Sequence, residues 1–299
     1  MRALVISGGG SKGAFAGGVA EALISRGSVY DIYLGTSTGG LLVPFLAIGA
    51  IQKIKTIYTQ ALQSQIFSNN PFRQSQTGSH IIFQINHLNV IKNFISGSKT
   101  FGESYALKDL IKSNFTENIY EQLLQSEKDI IVSVSNLSYQ SLEYKSLLDS
   151  SYEDFCDWIW ISCNFIPFMT LASKNGCEYA DGSLGVSVAI EEAIRRGATT
   201  IDAIVLDVED KKTKHHSIRN PFMLLTSMFT FSKSILEQQN IRVANDFAKK
   251  KGVKINYYHT PYSLTNNPLL FDQNEMKTWW DLGYKMVIDR EMQLENEKP

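Results

Sequence analysis

The sequence is poor in cysteine: of 299 residues only Cys156, Cys163 and Cys177 are thiols, and none lies in a CxxC pair. Neither a disulfide framework nor a zinc site is expected, and an odd number of thiols fits a reducing compartment. An excess of positive charge is also missing. Lys and Arg number 29 against 30 Asp and Glu, a formal net charge of -1, which argues against a nucleic-acid surface. No apolar run reaches the roughly eighteen residues of a spanning helix. Residues 1–7 are apolar but too short for a signal peptide, and glycines interrupt them. A cytoplasmic protein is expected, with any membrane contact made peripherally from the surface. There is no HExxH and no clustered Cys/His set, so neither a metal nor another cofactor is implied. Internal repeats and low-complexity linkers are absent too.

What is present is a soluble globular composition, 43% hydrophobic and 20% charged. Residues 3–6 read as a short buried strand ended by Gly8-Gly9-Gly10. A helix follows over residues 13–26, with Phe15, Val19 and Leu23 on one face. Residues 32–35 read as a second strand. The apolar stretch 39–50 reads as a buried helix, with Pro44 as a source of kinking. Strand, glycine loop, helix, strand, sharp turn, helix is the opening of a parallel α/β sheet.

Further on, residues 51–67 look helical, and residues 69–102 are irregular apart from an apolar-rich island at 80–94. That island reads either as a packed surface excursion or as part of a cap or substrate wall. Helices are expected at 105–115, 155–161, 188–196, from Pro221 towards Lys251, and at 275–292. Strands are expected at 130–134, 178–180, 201–208 and 253–258, with 142–144 pairing with the first of these. A basic segment, residues 211–216, precedes Pro221. One domain over 1–299 is the simplest partition, with its core at about 3–208 and the elements of 221–292 packed on it.

Gly35-Thr36-Ser37-Thr38-Gly39 fits G-x-S-x-G. A nucleophilic serine projects from a tight strand-to-helix turn whose strained backbone requires small flanking residues. The following helix directs its amide hydrogens and positive dipole end at the reacting oxygen. Only one clear strand precedes the strand leading into Ser37, too little chain for the usual α/β-hydrolase arrangement. Among the histidines His80, His87, His215, His216 and His259, the last is late enough to complete a Ser-Asp-His order and follows a strand, and it stands as a minor alternative.

Gly8-Gly9-Gly10-Ser11-Lys12-Gly13 has two functional readings. It satisfies G-x-G-x-x-G after a strand, with Asp31 near the spacing expected of a ribose-binding acid, as in a dinucleotide-binding oxidoreductase. It also suits an oxyanion hole, because glycines let main-chain N–H groups face a cavity unobstructed. Lys12 would add positive potential or pair with a nearby acid. Asp181-Gly182 alone is only a turn signal.

Taken together in this order, these motifs resemble the patatin-like phospholipase family. The glycine loop, Gly35-Thr36-Ser37-Thr38-Gly39-Gly40 and Asp181-Gly182-Ser183 match its three motifs. The stretch from Ile161 to Pro167 is similar to the lead-in to the family's aspartate, and the segment ending Arg195-Arg196-Gly197-Ala198 is similar to the helix after it. The resemblance implies an α/β fold, a three-layer α/β/α sandwich with a mainly parallel central sheet. It implies a serine acyl-hydrolase acting on carboxylic esters of lipids, of phospholipase A, lysophospholipase or acylglycerol lipase type. Ser37 would be the nucleophile and Asp181 the general base and acid. The amides of Gly9, Gly10 and Ser11 would form the oxyanion hole, with Gly8, Lys12, Gly13, Gly35, Gly39 and Gly182 in support. Ser183 in place of Gly or Ala, and Pro44 in the helix after the serine, depart from the pattern. A catalytically silent lipid-binding protein is the alternative of another class. The apolar residues of 221–235 beside the basic segment read either as core packing or as a lipid interface.

Overall fold

In the computed structural model, residues 1–77, 80–95, 97–209, 218, 221–265 and 267–296 are described. In chain order the elements are β1 (Arg2–Ile6), α1 (Gly13–Ser25), β2 (Ile32–Thr36), α2 (Thr38–Ala47), α3 (Ile51–Thr59) and α4 (Gln63–Ile66). Next come β3 (Phe72–Thr77), β4 (His80–Ile85), α5 (His87–Ile95), α6 (Tyr105–Asn114) and α7 (Glu117–Gln125). Then follow β5 (Asp129–Asn136), β6 (Ser141–Ser146), α8 (Tyr152–Ser162), β7 (Ala172–Lys174) and β8 (Cys177–Asp181). The chain continues through α9 (Ile190–Arg195), β9 (Thr200–Val205), α10 (Pro221–Lys251), β10 (Lys254–His259) and α11 (Gln273–Asn296).

Strands β10, β9, β1, β2 and β5 lie side by side in that order, all parallel. Their sequences are nearly continuous apolar runs because both faces of the sheet are covered. The period-two alternation of side chains divides them. Leu4, Ile6, Tyr33, Val132 and Ile204 enter one core, shared with residues of α1, α2, α3, α8 and α11. Ala3, Val5, Leu34, Ile131 and Ala203 enter the other, against α9 and the C-terminal half of α10. The result is the expected three-layer α/β/α architecture. Its sheet is mixed at one end, because β6 and β8 both run antiparallel to β5.

That end of the sheet positions the site. β2 pairs with β5 up to Thr36 opposite Ser133. β8 pairs with β5 from Asp181 opposite Val134 onward, while β6 runs along β5 past both stretches, Ile131 to Asn136. A strand has two edges, so β2 and β8 share the one that β6 leaves. They meet head to head along β5, and the last residue of β8 faces the first residue after β2.

Two expectations need correction. Residues 51–67 are not one helix: α3 stops at Thr59, and α4 restarts at Gln63 with the Gln65 side chain accepting from the Leu62 N–H. The helix α7 was not foreseen. Its polar sequence hides the pair that anchors it, Ile119 and Leu123, both buried and four residues apart. The irregular region 69–102 resolves into the antiparallel hairpin β3–β4 and the helix α5. The basic segment 211–216 lies outside the described residues.

Helix α1 packs on α11 with almost no gap. A Cβ on Gly18 would stand 1.9 Å from the Trp280 carbonyl oxygen. Backbone oxygen cannot yield as a side-chain tip can. Gly18→Ala is therefore expected to cost about 1–3 kcal/mol of stability, read as a lower urea midpoint at unchanged m-value. An unchanged midpoint would mean the two helices separate freely.

Candidate active site

Ser37 sits between the end of β2 and the first turn of α2, with φ 52° and ψ -120°. That conformation is one an L-residue adopts at a cost of about 1–3 kcal/mol unless the surroundings compel it. Here they do. A Cβ on Gly35 would stand 2.2 Å from the Gly39 carbonyl carbon, and one on Gly39 would stand 2.4 Å from the Ile6 carbonyl oxygen. Only glycine at both flanks lets the turn close this tightly. Ser37 is the N-cap of α2, so the positive dipole end of that helix lies beside it.

Three consecutive residues at the end of α8 hold the turn and its partner. The Ser37 N–H donates to Ser162 Oγ at 2.9 Å, and Cys163 Sγ donates to the Ser37 carbonyl at 3.2 Å. The Asp181 N–H donates to the Asn164 carbonyl at 2.9 Å. Burial, followed by the nearby charge of Asp181, pushes the Cys163 thiol well above its ordinary pKa. It stays protonated and keeps its donor. Both backbone polar groups of the strained serine are thus satisfied, and one rigid strip sets its distance to the aspartate.

Ser37 Oγ donates to Asp181 Oδ2 at 2.6 Å. The other carboxylate oxygen, Oδ1, accepts from the Ser183 N–H at 2.7 Å in the tight turn after β8. Gly182 allows this turn, since a Cβ there would lie 2.2 Å from Ser133 Oγ. Asp181 is buried, and loss of solvation raises its pKa. The hydrogen bonds from Ser37 and Ser183 and the charge of Lys233 oppose that rise without cancelling it. A raised carboxylate beside a serine hydroxyl is a stronger base than a solvated one.

The glycine loop closes over this pair. A Cβ on Gly8 would touch the Cβ atoms of Ser37 and Ser183 at 3.1 and 3.3 Å. Its N–H is committed to the Ser187 carbonyl. Gly9 and Gly10 line the cavity in front of Ser37. Their N–H groups find no acceptor among the described residues. Gly10 requires its glycine twice, for φ +57° and because a Cβ would lie 2.1 Å from the Pro268 carbonyl oxygen. That carbonyl takes the Ser11 N–H at 2.8 Å. Ser11, expected as a third oxyanion donor, is therefore occupied, and the expectation narrows to Gly9 and Gly10. Lys12 places its ammonium on the Leu206 carbonyl. Gly13 leaves room for Thr38 and Tyr58, and Tyr58 OH donates to the Gly10 carbonyl at 2.5 Å.

The rival readings separate on position. Asp31 precedes β2, at the opposite end of the sheet from the glycine loop, and its carboxylate accepts from the Arg2 N–H at 2.7 Å. A ribose-binding acid has to stand at the C-terminal end of that strand. His259 ends β10, three strands from β2, with Nδ1 against the Asp207 carbonyl at 3.3 Å. At about 4.8 Å per strand it stands some three spacings away from Ser37, whose hydroxyl already has a carboxylate partner.

Ser37 and Asp181 open onto a cavity of about 2270 Å³. One side is apolar, with Leu41, Phe45, Ile57, Phe72, Leu110 and Phe115 among its walls. The region 69–102 contributes Phe72, Ile85, Val90 and Phe101, so the apolar island does form part of the cavity wall. Lys233 was not foreseen. It reaches in from α10 and donates to the Gly8 carbonyl at 3.1 Å. Nothing local in a lone lysine of a mostly apolar stretch marks it.

A serine turn, an aspartate and a glycine loop at the carboxyl ends of a largely parallel sheet, facing an apolar cavity, define an α/β protein built around a two-residue polar centre. The model of the family described as patatin-like phospholipase matches residues 4–194, and the chain belongs to that family. Among solved structures it is similar to VipD from Legionella pneumophila, with a TM-score of 0.50 and 14% identity, covering 97% of this chain and 67% of that one. At that identity the likeness concerns the fold. No curated protein matches the sequence. Among the described residues no helix is long and apolar enough to cross a membrane.

The strain at Ser37 is directly measurable. Ser37→Gly should be more stable than Ser37→Ala by about 1 kcal/mol, since both lack the hydroxyl and only glycine adopts this φ and ψ without penalty. Urea unfolding of the two variants checks it, and equal stability would show that the turn carries no strain.

Proposed function

We propose that this chain is a lipid acyl hydrolase that cleaves carboxylic esters through a Ser37–Asp181 dyad and an acyl-enzyme. The family supports lipid as the substrate class. The observation that carries the dyad is the 2.6 Å hydrogen bond from Ser37 Oγ to a buried carboxylate. Ser37 Oγ attacks the ester carbonyl as its proton passes to Asp181 Oδ2. Negative charge then develops on the former carbonyl oxygen, where the N–H groups of Gly9 and Gly10 and the N-terminus of α2 stabilise it more than they stabilise the ground state. Asp181 returns the proton to the leaving alcohol and next takes one from water, which attacks the acyl-enzyme. The acyl chain occupies the apolar side of the cavity. Ser183 fixes Oδ1, so Oδ2 alone exchanges the proton.

Hydrolysis of a panel of phospholipids, lysophospholipids and acylglycerols by the wild type and Ser37→Ala, with products identified by mass, tests this reading. Ser37→Ala and Asp181→Asn are each expected to lower kcat by on the order of 1000-fold or more. Comparable turnover in either variant would remove the dyad.

Asp181 also predicts a pH dependence. It works ionised, and burial holds its pKa above the ordinary carboxylate value. The rate should therefore fall as pH drops through a pKa higher than the usual carboxylate value of about 3.9, and that limb should be missing from the residual activity of Asp181→Asn. The same shift has a stability sign. A carboxyl group whose folded pKa exceeds its unfolded pKa weakens the fold once it ionises. Asp181→Asn should match or exceed the wild type in thermal stability at neutral pH, and the difference should close in acid. Marked destabilisation at neutral pH would contradict this.

A further inference from the structure

Two helices at the rim of the cavity expose apolar stripes that the core does not use. On α5, Leu88, Ile91 and Ile95 share one face and are 79%, 55% and 83% exposed. On α10, Leu224, Met228, Phe231 and Ile235 recur at four, three and four residues, which is one helix face. They are 46%, 58%, 68% and 38% exposed. Single exposed apolar residues need no explanation, but two full stripes do. Aromatic contacts tie the helices together: Phe94 of α5 to Phe101 at 5.7 Å, Phe101 to Phe168 at 5.9 Å, and Phe168 to Phe229 of α10 at 6.4 Å. Both helices also line the cavity, through Val90 on one side and Phe229 and Phe231 on the other. The stripes therefore lie on two helices that wall the space in front of Ser37.

Charge narrows the choice of what covers them. The chain as a whole balances 29 basic against 30 acidic residues. Yet residues 68–102, which contain α5, include Arg73, Lys92 and Lys99 and no acid. Arg73 and Lys92 are exposed, and no carboxylate among the described residues pairs with them. The first sixteen residues of α10 contain Lys233 and likewise no acid. In sequence, α10 is preceded by Lys211, Lys212, Lys214 and Arg219. Acids are thus excluded from the two stretches that carry exposed apolar side chains, which complements an anionic surface.

We propose that the α5 and α10 stripes form one docking face for an anionic phospholipid bilayer, seating the cavity mouth on the membrane. The apolar side chains enter the acyl boundary while the surrounding cations meet the headgroups. A lipid ester then passes from the bilayer into the cavity without crossing water. The choice of a bilayer rests on the lipid-hydrolase reading above, because such a substrate resides in a membrane. Docking itself needs no turnover and is measured apart from it.

The test uses Ser37→Ala, which cannot consume the vesicles, sedimented with sonicated phosphatidylcholine alone and with phosphatidylcholine containing one-third phosphatidylglycerol. It is expected to sediment with the second far more than the first, and less as salt is raised. Adding Leu88→Ser, Ile95→Ser, Leu224→Ser and Met228→Ser, none of which lines the cavity, should lower the bound fraction about tenfold or more. In the active chain the same four substitutions should lower hydrolysis of the anionic vesicles similarly, while turnover of soluble p-nitrophenyl butyrate stays within about twofold. Three results would overturn the proposal: unchanged vesicle binding, an equal loss on the soluble ester, or self-association abolished by the four substitutions in a chain that binds no vesicles. If the wild type hydrolyses no ester while Ser37→Ala still sediments through this face, the docking stands and the hydrolase reading falls.

Discussion

The structure depends on two strand ends meeting along one edge of β5. β2 leaves that edge after Thr36, and β8 occupies it from Asp181 onward. Because β8 runs antiparallel, its last residue faces the serine turn, so residues 144 positions apart are brought within hydrogen-bond distance by sheet pairing. The strain at Ser37 is sustainable because the end of α8 satisfies both of its backbone polar groups, and the next residue of the same strip holds Asp181. Removing the Ser162 hydroxyl would leave the buried Ser37 N–H without its acceptor, and such groups are costly in an interior, whereas the Ser37 carbonyl also takes the Gly40 N–H at 2.8 Å.

In the proposed mechanism the same arrangement lets a carboxylate do the work of a base without an intervening imidazole. Burial raises the Asp181 pKa, and its two oxygens are assigned to different partners, Ser183 and Ser37. Lys233 opposes the rise from α10, the helix that also presents one of the exposed apolar stripes. The helix on the cavity rim therefore touches the electrostatics of the centre directly, through the Gly8 carbonyl.

What was legible in the sequence follows from how local each signal is. The parallel strands announce themselves as short apolar runs, and the serine turn and glycine loop are set by steric demands within a few residues. Asp181-Gly182 carries almost no signal alone and gained meaning from the other two motifs. The stretch from Ile161 to Pro167 was visible as part of the resemblance, but the roles of Ser162, Cys163 and Asn164 were not, since they act through backbone groups far away in sequence. Ser11 reads as an open donor in the sequence because its acceptor, the Pro268 carbonyl, arrives from near the other end of the chain. The helix α7 hid behind polar residues, and the break between α3 and α4 fell where no glycine or proline marks it. Apolar residues 221–235 read either as core or as interface, because periodicity reports a face without saying what covers it.

The most direct measurement is rapid-quench mass spectrometry of the protein during turnover of an ester it hydrolyses, followed by peptide mapping. The account predicts an acyl group on the peptide containing Ser37 in the wild type, and no detectable adduct in Asp181→Asn on the same timescale. An acyl group on any other residue, or acylation of Asp181→Asn at the wild-type rate, would contradict it.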